Sequence, residues 1–506
     1  MGITMPPGAT IRARLRSASG RPEAKLRLAK RLAARGAGAK AVRHIAAAAR
    51  DGLAEAQARL GLCYLHGNGV PPSMAEARYW LDNAAAAGDV TAQIELAKLA
   101  LNGVSGAYQR GLFRNPATYT PAEPAYQLAA DLARRAADAG SAEARALLAT
   151  ILHMQPSTAK PGDDADALYR ESARFGWPLG QLGHAMTLLR AGTQDATHEA
   201  RDLLSSAAAS GLPTAHFLLG AMAEAGSGMD PDPDLAVTHY REAAERGHRD
   251  AKTRLGLALL AGRGTKRNLI EAETWLRHAA HGGDALAAAV LGDFHASRDL
   301  QPANPEEAAR WYRFAAELGH PASARVLARM IAVGGEGQPD MVEIAKWLRT
   351  AIEGGEMAAW PELGGMIESL PPGHLPVLHE WLQRMIRENR PEAGYYVGVC
   401  VNCGIGTPAD EELARRYYLW AAGEGVIEAM VGAGEMLLNG RGGPADPDLA
   451  RSLFEYAGKR DHAGALYALG VMARDDPDAR TSHFRRAAEL GHTKAKLFVT
   501  PNPGTG

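Results

Sequence analysis

Two cysteines with the CxxC spacing, Cys400 and Cys403, are the residues of this chain best suited to metal or redox chemistry. A structural zinc site needs four ligands, and the remaining cysteine, Cys63, cannot make a second pair. A redox pair usually lies at a helix N-terminus, whereas this one falls late in a predicted helix. Cys63 and Cys400 also share one position of a recurring pattern, which other units fill with Met222, Phe294, Met330, Met366, Met436 and Met472. We therefore interpret both as core residues.

Histidines are the next candidates for metal chemistry. His278 and His281 are three residues apart, and His374 and His379 are five apart. A further group follows glycines at predicted helix ends, where an imidazole complements the helix dipole: His248, His320 and His492. No nucleophile, base and acid fall together at a plausible site. The sequence therefore predicts no enzyme, no metal and no cofactor, with an enzyme or metal-dependent protein as the alternative.

Composition limits the remaining classes of function. The chain has 506 residues, a net charge of −1 and three cysteines, which argues against binding nucleic acid with the whole molecule and against a disulfide framework. The N-terminus lacks the apolar core of a signal peptide, Pro6 stands where myristoylation needs Ser or Thr, and no window is long and apolar enough to span a bilayer. We expect a cytoplasmic protein.

A repeat of about 36 residues organises the chain. Trp275, Trp311 and Trp347 recur at this spacing, each within a pair of short helical patterns separated by a glycine-rich turn. Glycines that can adopt the left-handed conformation close the units at Gly88, Gly140, Gly176, Gly211, Gly247, Gly283, Gly319, Gly355, Gly425 and Gly491. Two closures lack glycine, near Asn389 and Lys459–Asp461. The predicted fold class is all-α, a solenoid of about twelve antiparallel helix hairpins.

Each unit repeats two packing features. The first helix carries a Leu-Gly pair, and the glycine indicates that the partner helix packs too closely for a side chain: the pairs begin at Leu60, Leu182, Leu219, Leu255, Leu291, Leu363 and Leu469. The second helix carries a large aromatic residue about eight residues before the cap: Trp80, Tyr240, Trp275, Trp311, Trp347, Trp381 or Tyr418. This alternation of large and small residues is predicted to interlock successive hairpins.

These features resemble the Sel-one-like repeat (SLR), a relative of the tetratricopeptide repeat. The phrase AAERGH occurs at Ala243–His248, and AAELGH occurs at Ala315–His320 and Ala487–His492; the turn phrases are Asn68–Val70 and Asn439–Gly443. The resemblance covers roughly residues 25–495. It implies a right-handed superhelix that serves as a scaffold or adaptor for a protein partner. As an alternative, it implies a scaffold for bacterial envelope polysaccharide synthesis or secretion.

The domain boundaries follow from the repeat. We expect a disordered basic arm at 1–22, a degenerate capping repeat at 23–53, the solenoid at 54–495 with an inserted loop at 102–124, and a disordered tail at 496–506. Residues 1–50 hold twelve Arg or Lys and one acidic residue, Glu23. The arm is interpreted either as a contact for an acidic partner or anionic membrane, or as a solubilising tail.

Two surfaces are predicted to bind the protein partner. First helices line the concave face of such superhelices, and counting from the Leu-Gly pair places there Lys98, His184, Asp293, Arg325, Arg329, Tyr395, Glu435, Tyr467 and Arg474. The mixed chemistry of this set suits a peptide better than a phosphate polymer; the alternative is a merely solvated helix face. The loop carries residue types enriched at interfaces, Tyr108, Arg110, Phe113, Arg114 and Tyr119, which alternatively fold back onto the neighbouring hairpin.

Overall fold

The structure, a computed structural model, describes residues 20–102, 124–297, 303–334 and 338–499. These residues form 27 α-helices, three short 3-10 segments and no strand. The helices are α1 Pro22–Ala34, α2 Gly38–Arg50, α3 Ala54–His66, α4 Met74–Ala86, α5 Val90–Leu101, α6 Tyr126–Asp138, α7 Ala142–Met154, α8 Ala165–Arg174, α9 Pro178–Ala191, α10 Gln194–Ala209, α11 Pro213–Ala225, α12 Pro233–Glu245, α13 Arg249–Ala261, α14 Leu269–His281, α15 Ala285–Ala296, α16 Pro305–Glu317, α17 Pro321–Val333, α18 Met341–Glu353, α19 Ala359–Met366, α20 Leu375–Arg387, α21 Pro391–Cys403, α22 Glu411–Gly423, α23 Ile427–Asn439, α24 Pro447–Gly458, α25 Ala463–Met472, α26 Pro477–Glu489 and α27 Thr493–Val499.

The predicted all-α fold is confirmed. Odd-numbered helices up to α25 are the first helices of hairpins, and even-numbered ones are the second helices. The chain divides into two compact units, residues 1–275 and 276–506. Each unit contains six complete hairpins, α1–α12 in one and α15–α26 in the other, while α14 crosses the division. The expected number of about twelve is close, because only the α13–α14 pair is additional.

Three predicted segments fall wholly or largely outside the described residues: most of the arm, all but the ends of the 102–124 loop, and the end of the tail. The tail was expected to begin at 496, but α27 continues to Val499. The reason is an aromatic contact, since Phe498 stacks on Phe484 with ring centroids 4.6 Å apart.

Capping residues mark the start of many second helices and the end of each hairpin. Many second helices start after a side chain that accepts a backbone N–H, as Asp232 does from Leu235 with Pro233 at the first helical position. The predicted closing glycines all have positive φ. Asn389 and Asp461, at the two closures without glycine, both have φ of 60° and are the sole non-glycine residues with positive φ in the described ranges. The closures were therefore predicted correctly at every position.

The glycine of the Leu-Gly pair is required by the side chain opposite it. In six hairpins a Cβ atom on the glycine at this place in the first helix would lie 2.6 to 2.7 Å from a side chain of the hairpin's own second helix. Four of these glycines belong to predicted Leu-Gly pairs: Gly61 faces Leu81, Gly220 faces Tyr240, Gly292 faces Tyr312 and Gly470 faces Phe484. Gly398 with Tyr418 and Gly434 with Phe454 repeat the contact after Val397 and Ala433 instead of leucine. Two further Leu-Gly glycines differ, since Gly183 faces Tyr169 of the preceding second helix and Gly364 faces Tyr396 of the next first helix. The predicted close approach is confirmed, and its cause is a large residue lying directly on the glycine.

The aromatic residues of the second helices occupy two adjacent positions, which the sequence pattern had merged into one. Tyr240 and Tyr418 lie on the glycines, whereas the tryptophans stand one residue earlier in the repeat. Trp311 contacts Arg277 and Trp381 contacts Glu353, each on the preceding second helix. Trp311 and Trp347 are buried as predicted, at 6% and 3% exposure, but Trp275 is only partly buried.

Each of these tryptophans belongs to a three-residue contact that joins consecutive second helices. The Trp311 Nε1–H donates to Glu307 at 3.1 Å, and Arg277 of the preceding second helix donates to the same carboxylate at 3.4 Å. The Arg277 guanidinium also lies 5.0 Å from the Trp311 ring centre. The same Arg–Glu–Trp contact recurs 36 residues on either side, as Arg241–Glu271–Trp275 and Arg313–Glu343–Trp347.

Candidate functional site

Ion pairs between neighbouring first helices identify the face on which these helices meet. The Lys98 ammonium on α5 contacts Glu143 on α7 at 2.8 Å and Glu95 on its own helix at 2.8 Å. Arg325 and Arg329 on α17 both contact one carboxylate oxygen of Glu362 on α19, at 2.9 and 3.1 Å. Lys98 in the first unit, and Arg325 and Arg329 in the second, therefore lie on the surface that neighbouring first helices of their own unit share. In each unit we call this surface the first-helix face.

Two other predicted residues are held by hydrogen bonds within the protein. Asp293 on α15 accepts the Tyr312 hydroxyl at 2.6 Å. Burial, and then the Asp293 carboxylate, raise the pKa of Tyr312, so this hydroxyl stays a donor. The His184 side chain is 11% exposed, with Nδ1 3.4 Å from the Thr187 hydroxyl oxygen and Nε2 3.8 Å from Glu199, and is largely enclosed rather than open to a partner. Burial lowers the pKa of His184 and favours its neutral form.

The two predicted tyrosines pack against aromatic neighbours. Tyr395 lies 5.0 Å from Tyr396 and 5.8 Å from Tyr418, measured between ring centres. Tyr467 stacks on His492 at 4.3 Å and contributes to the packing of the last hairpin. Both rings are therefore partly used by the core, and neither stands free on the surface.

Glu435 and Arg474 differ from the rest of the predicted set. Both are exposed, and neither has a side-chain partner among the described residues. Glu435 lies on α23, whereas Arg474 lies two residues past the end of α25 and not on the helix as predicted. The carboxylates of Glu428 and Glu435 add to the effect of burial in raising the pKa of Tyr395. These two charges remain open to a partner. Tyr108, Arg110, Phe113, Arg114 and Tyr119 of the predicted loop lie outside the described residues.

Two of the three cysteines, Cys400 and Cys63, pack in the core as interpreted from the repeat. Cys400 is buried, Cys63 is partly buried against the first hairpins, and Cys403 is exposed at the end of α21. Burial raises the pKa of Cys400 to about 11, which keeps it a thiol. Within the described ranges, no three His, Cys, Asp or Glu side chains are arranged to hold a metal ion. None of the described helices is long and apolar enough to cross a membrane.

The histidines that follow the closing glycines have a role the sequence reading missed. They were interpreted as partners of the preceding helix C-terminus, but each caps the N-terminus of the next helix. His248 Nδ1 accepts the backbone N–H of Ala251 at 3.3 Å, and His320 and His492 make the equivalent bond at 3.2 Å. The signal was available, since Asp89 and Ser141 hold the same position after their glycines and are common N-cap residues.

Stacked helix hairpins with a fixed repeat define an α-solenoid, a class of protein that presents an extended surface. The family model of the Sel1 repeat matches residues 54–89, 91–141, 213–248, 249–284, 285–320, 391–426, 427–462 and 482–492. Because these segments cover more than half of the sequence, the chain belongs to the Sel1 repeat family. Sel1 repeats in general are non-catalytic scaffolds for protein–protein interaction.

Several solved structures are similar to this chain. A protective antigen of uropathogenic Escherichia coli with an SLR fold is 22% identical, covers 92% of this chain and 99% of its own length, and has a TM-score of 0.49. A Sel1 repeat protein from Oxalobacter formigenes is 23% identical, covers 67% of this chain and 90% of its own length, and has a TM-score of 0.42. No curated protein matches the chain.

Proposed function

We propose that this protein is a non-enzymatic scaffold that binds a protein partner through its first-helix face. The observation that carries the proposal is the pair of exposed charges Glu435 and Arg474. Most other charged side chains predicted for this face are neutralised by their neighbours, as Arg325 and Arg329 are by Glu362. A charge that the fold does not use internally is available to set the orientation and specificity of a partner.

The contact chemistry suits a polypeptide of mixed charge. Glu435 can accept from a lysine, an arginine or a backbone N–H, and Arg474 can donate to a carboxylate or a carbonyl. Tyr395 is only partly buried, and the part of its ring that stays exposed offers apolar area with a polar tip, a combination that is common at protein interfaces. The predicted loop at 102–124 is proposed as a second contact for the same partner.

Matched charge reversals test this proposal. Partners are identified by affinity purification from the native cell, and the purified partner is then titrated against Glu435→Lys and Arg474→Glu. The controls reverse the same charges on second helices: Glu455→Lys on α24 and Arg485→Glu on α26, both exposed. We expect the first pair to weaken binding by about tenfold and the controls to leave it unchanged. Equal binding by all four variants would show that the partner does not use this face.

A further inference from the structure

The outer face of α1, at the start of the first hairpin, carries an apolar position that nothing in the described chain covers. Helices α1 and α3 are both 13 residues long, and Leu28 and Leu60 are each the seventh residue. Leu60 is the leucine of a Leu-Gly pair and is 1% exposed, packed among residues of α2. Leu28 is 45% exposed. The same packing position therefore exists on α1, and no second helix of the described residues covers it.

The same face carries a row of positive charge. Arg27, Arg31 and Arg35 are all exposed and four residues apart, which places successive side chains about 6 Å apart along one side of the helix. None of the three has an ion-pair partner among the described residues. Residues 20–50 hold nine Arg or Lys and one Glu, a net charge of 9 − 1 = +8, whereas the whole chain has −1. The first hairpin is thus strongly basic, and three of its unpaired arginines lie on the side where the apolar position is open.

From this geometry we propose that the outer face of α1 docks an acidic amphipathic helix of a partner protein. This helix lies where an interior hairpin receives the second helix of the hairpin before it. Its apolar residues cover Leu28 and Ala24, and its carboxylates pair with Arg27 and Arg31, where arginine can bind them with two parallel hydrogen bonds. The proposal concerns a surface separate from the first-helix face and does not depend on the function proposed above.

Other occupants fit this face less well. Residues 1–19 carry Arg12, Arg14 and Arg16 and no Asp or Glu, so they offer it no carboxylate. Nucleic acid would gain phosphate contacts but no base stacking, because residues 20–53 contain no Phe, Tyr or Trp. A membrane surface would gain little apolar contact, since the opposite side of α1, with Leu26 and Ala29, is packed in the hairpin core.

The test uses the full chain and defined probes. The first probe is a four-turn synthetic helix with leucines along one face and glutamates beside them, and the second has glutamine in place of each glutamate. Vesicles of equal parts phosphatidylcholine and phosphatidylserine form the third. Binding is measured by fluorescence anisotropy and by co-sedimentation for wild type, Arg27→Glu/Arg31→Glu, Leu28→Ser and the matched control Arg485→Glu, with circular dichroism to verify the fold.

We expect the glutamate peptide to bind at least tenfold more tightly than the glutamine peptide, with an affinity that falls steeply as salt rises. Arg27→Glu/Arg31→Glu and Leu28→Ser should each weaken that binding, and Arg485→Glu should not. Equal affinity for both peptides, or loss of binding in the control alone, would overturn the proposal. Vesicle binding that only the α1 variants abolish would assign the face to anionic lipid instead.

A photo-crosslinking residue at position 28 gives an independent readout in the native cell. Mass spectrometry of the crosslinked peptide identifies the partner segment itself. We expect a helical segment rich in Asp and Glu with apolar residues three and four apart. A crosslinked segment that is basic, or one without this apolar spacing, contradicts the proposal.

Discussion

Gly292 on α15 faces the ring of Tyr312 on α16 so closely that a Cβ atom would lie 2.6 Å from Cδ1 of the tyrosine. Alanine is favoured over glycine by about 1 kcal/mol inside a helix, so the glycine is kept against its own helix propensity. The gain is a hairpin in which the tyrosine ring is buried and its hydroxyl reaches Asp293 on the first-helix face.

We therefore predict that Gly292→Ala destabilises the protein in spite of the better helix former. Displacing the Tyr312 ring should cost about 1–3 kcal/mol, which outweighs the propensity gain. Gly365 on α19 is the matched control, because a Cβ atom there would meet nothing within 4 Å. Urea denaturation should show a lower midpoint for Gly292→Ala and an equal or higher one for Gly365→Ala. Stabilisation by both changes would contradict the packing argument.

The second prediction concerns Trp311. Trp311→Ala should lower the free energy of unfolding by about 3–5 kcal/mol. The substitution leaves a cavity and breaks the contacts with Glu307 and Arg277. Hydrogen exchange should rise first in α14–α18, since repeats are stabilised mainly by their neighbours. Trp311→Phe keeps the buried ring and should lose about 1 kcal/mol with the Glu307 hydrogen bond. Exchange that rises uniformly along the chain would argue against local coupling.

The third prediction is a dependence of stability on pH. Nδ1 of His248 and of His492 accepts a backbone N–H, which a protonated imidazole cannot do. Burial lowers the pKa of both histidines below the ordinary value of 6.5. The unfolded chain therefore binds protons first, so this stability is present above pH 6.5 and is lost as pH falls through the lower folded pKa. Losing one cap should cost about 1 kcal/mol.

Hydrogen exchange of the first turn of α13 at neutral pH and at pH 5 measures this effect. His248→Asn supplies a cap that does not titrate, so the acid-induced rise in exchange at residues 250–252 should disappear in this variant. His278→Asn is the control, because His278 caps no helix. If His248→Asn shows the wild-type rise, the acid sensitivity has another origin.

The fourth prediction concerns the two closures without glycine. Asn389→Gly should stabilise the protein by up to about 1 kcal/mol, because glycine adopts positive φ without the Cβ clash. Asp461→Gly should gain less, since the Asp461 carboxylate also accepts Arg486 at 2.9 Å. Thermal denaturation of the two single variants compares the gains. A lower melting temperature for Asn389→Gly would show that the asparagine side chain makes a contribution that outweighs its backbone strain.

The fifth prediction tests the loop that lies outside the described residues. Replacing Tyr108–Tyr119 with a short Gly-Ser turn removes Tyr108, Arg110, Phe113, Arg114 and Tyr119 together. If the loop is an interaction site, the melting temperature should hold while the native partner is lost from pull-downs, because these residue types dominate interface energetics. A collapse of stability, or wild-type binding of the partner, would instead support the packing interpretation of these aromatics.

The closures show how far the sequence determines this fold. Asn389 and Asp461 could be located without coordinates, because the spacing required a left-handed residue there and both residue types tolerate it. The glycines of the Leu-Gly pairs were explained correctly for the same reason, since a repeated cost in helix propensity implies a repeated contact. A backbone requirement that recurs from unit to unit can therefore be predicted from a single sequence.

The ion pairs between side chains on the first-helix face could not be predicted from the repeat. Arg325 and Glu362 are 37 residues apart, and their contact depends on how one hairpin is rotated against the next. His184 illustrates the same limit, because its position in the repeat predicted exposure while its neighbours enclose it. Whether a charged residue is free for a partner is decided by these neighbours. Glu435 and Arg474 could be separated from the other candidates only with the structure.

Because the Arg–Glu–Trp contacts recur every 36 residues, one of the middle hairpins could be removed without changing the type of contact between its neighbours. Arg277 meets Glu307 and Trp311 in the same way that Arg313 meets Glu343 and Trp347. Removing residues 284–319 would bring Arg277 opposite Glu343 and Trp347, and the joint so formed would be chemically identical to the one lost. Recombination that adds or removes whole repeats would therefore preserve the contacts between consecutive second helices, because the new neighbours carry the same three residues. The length of the first-helix face can therefore change while the contacts at each joint stay the same.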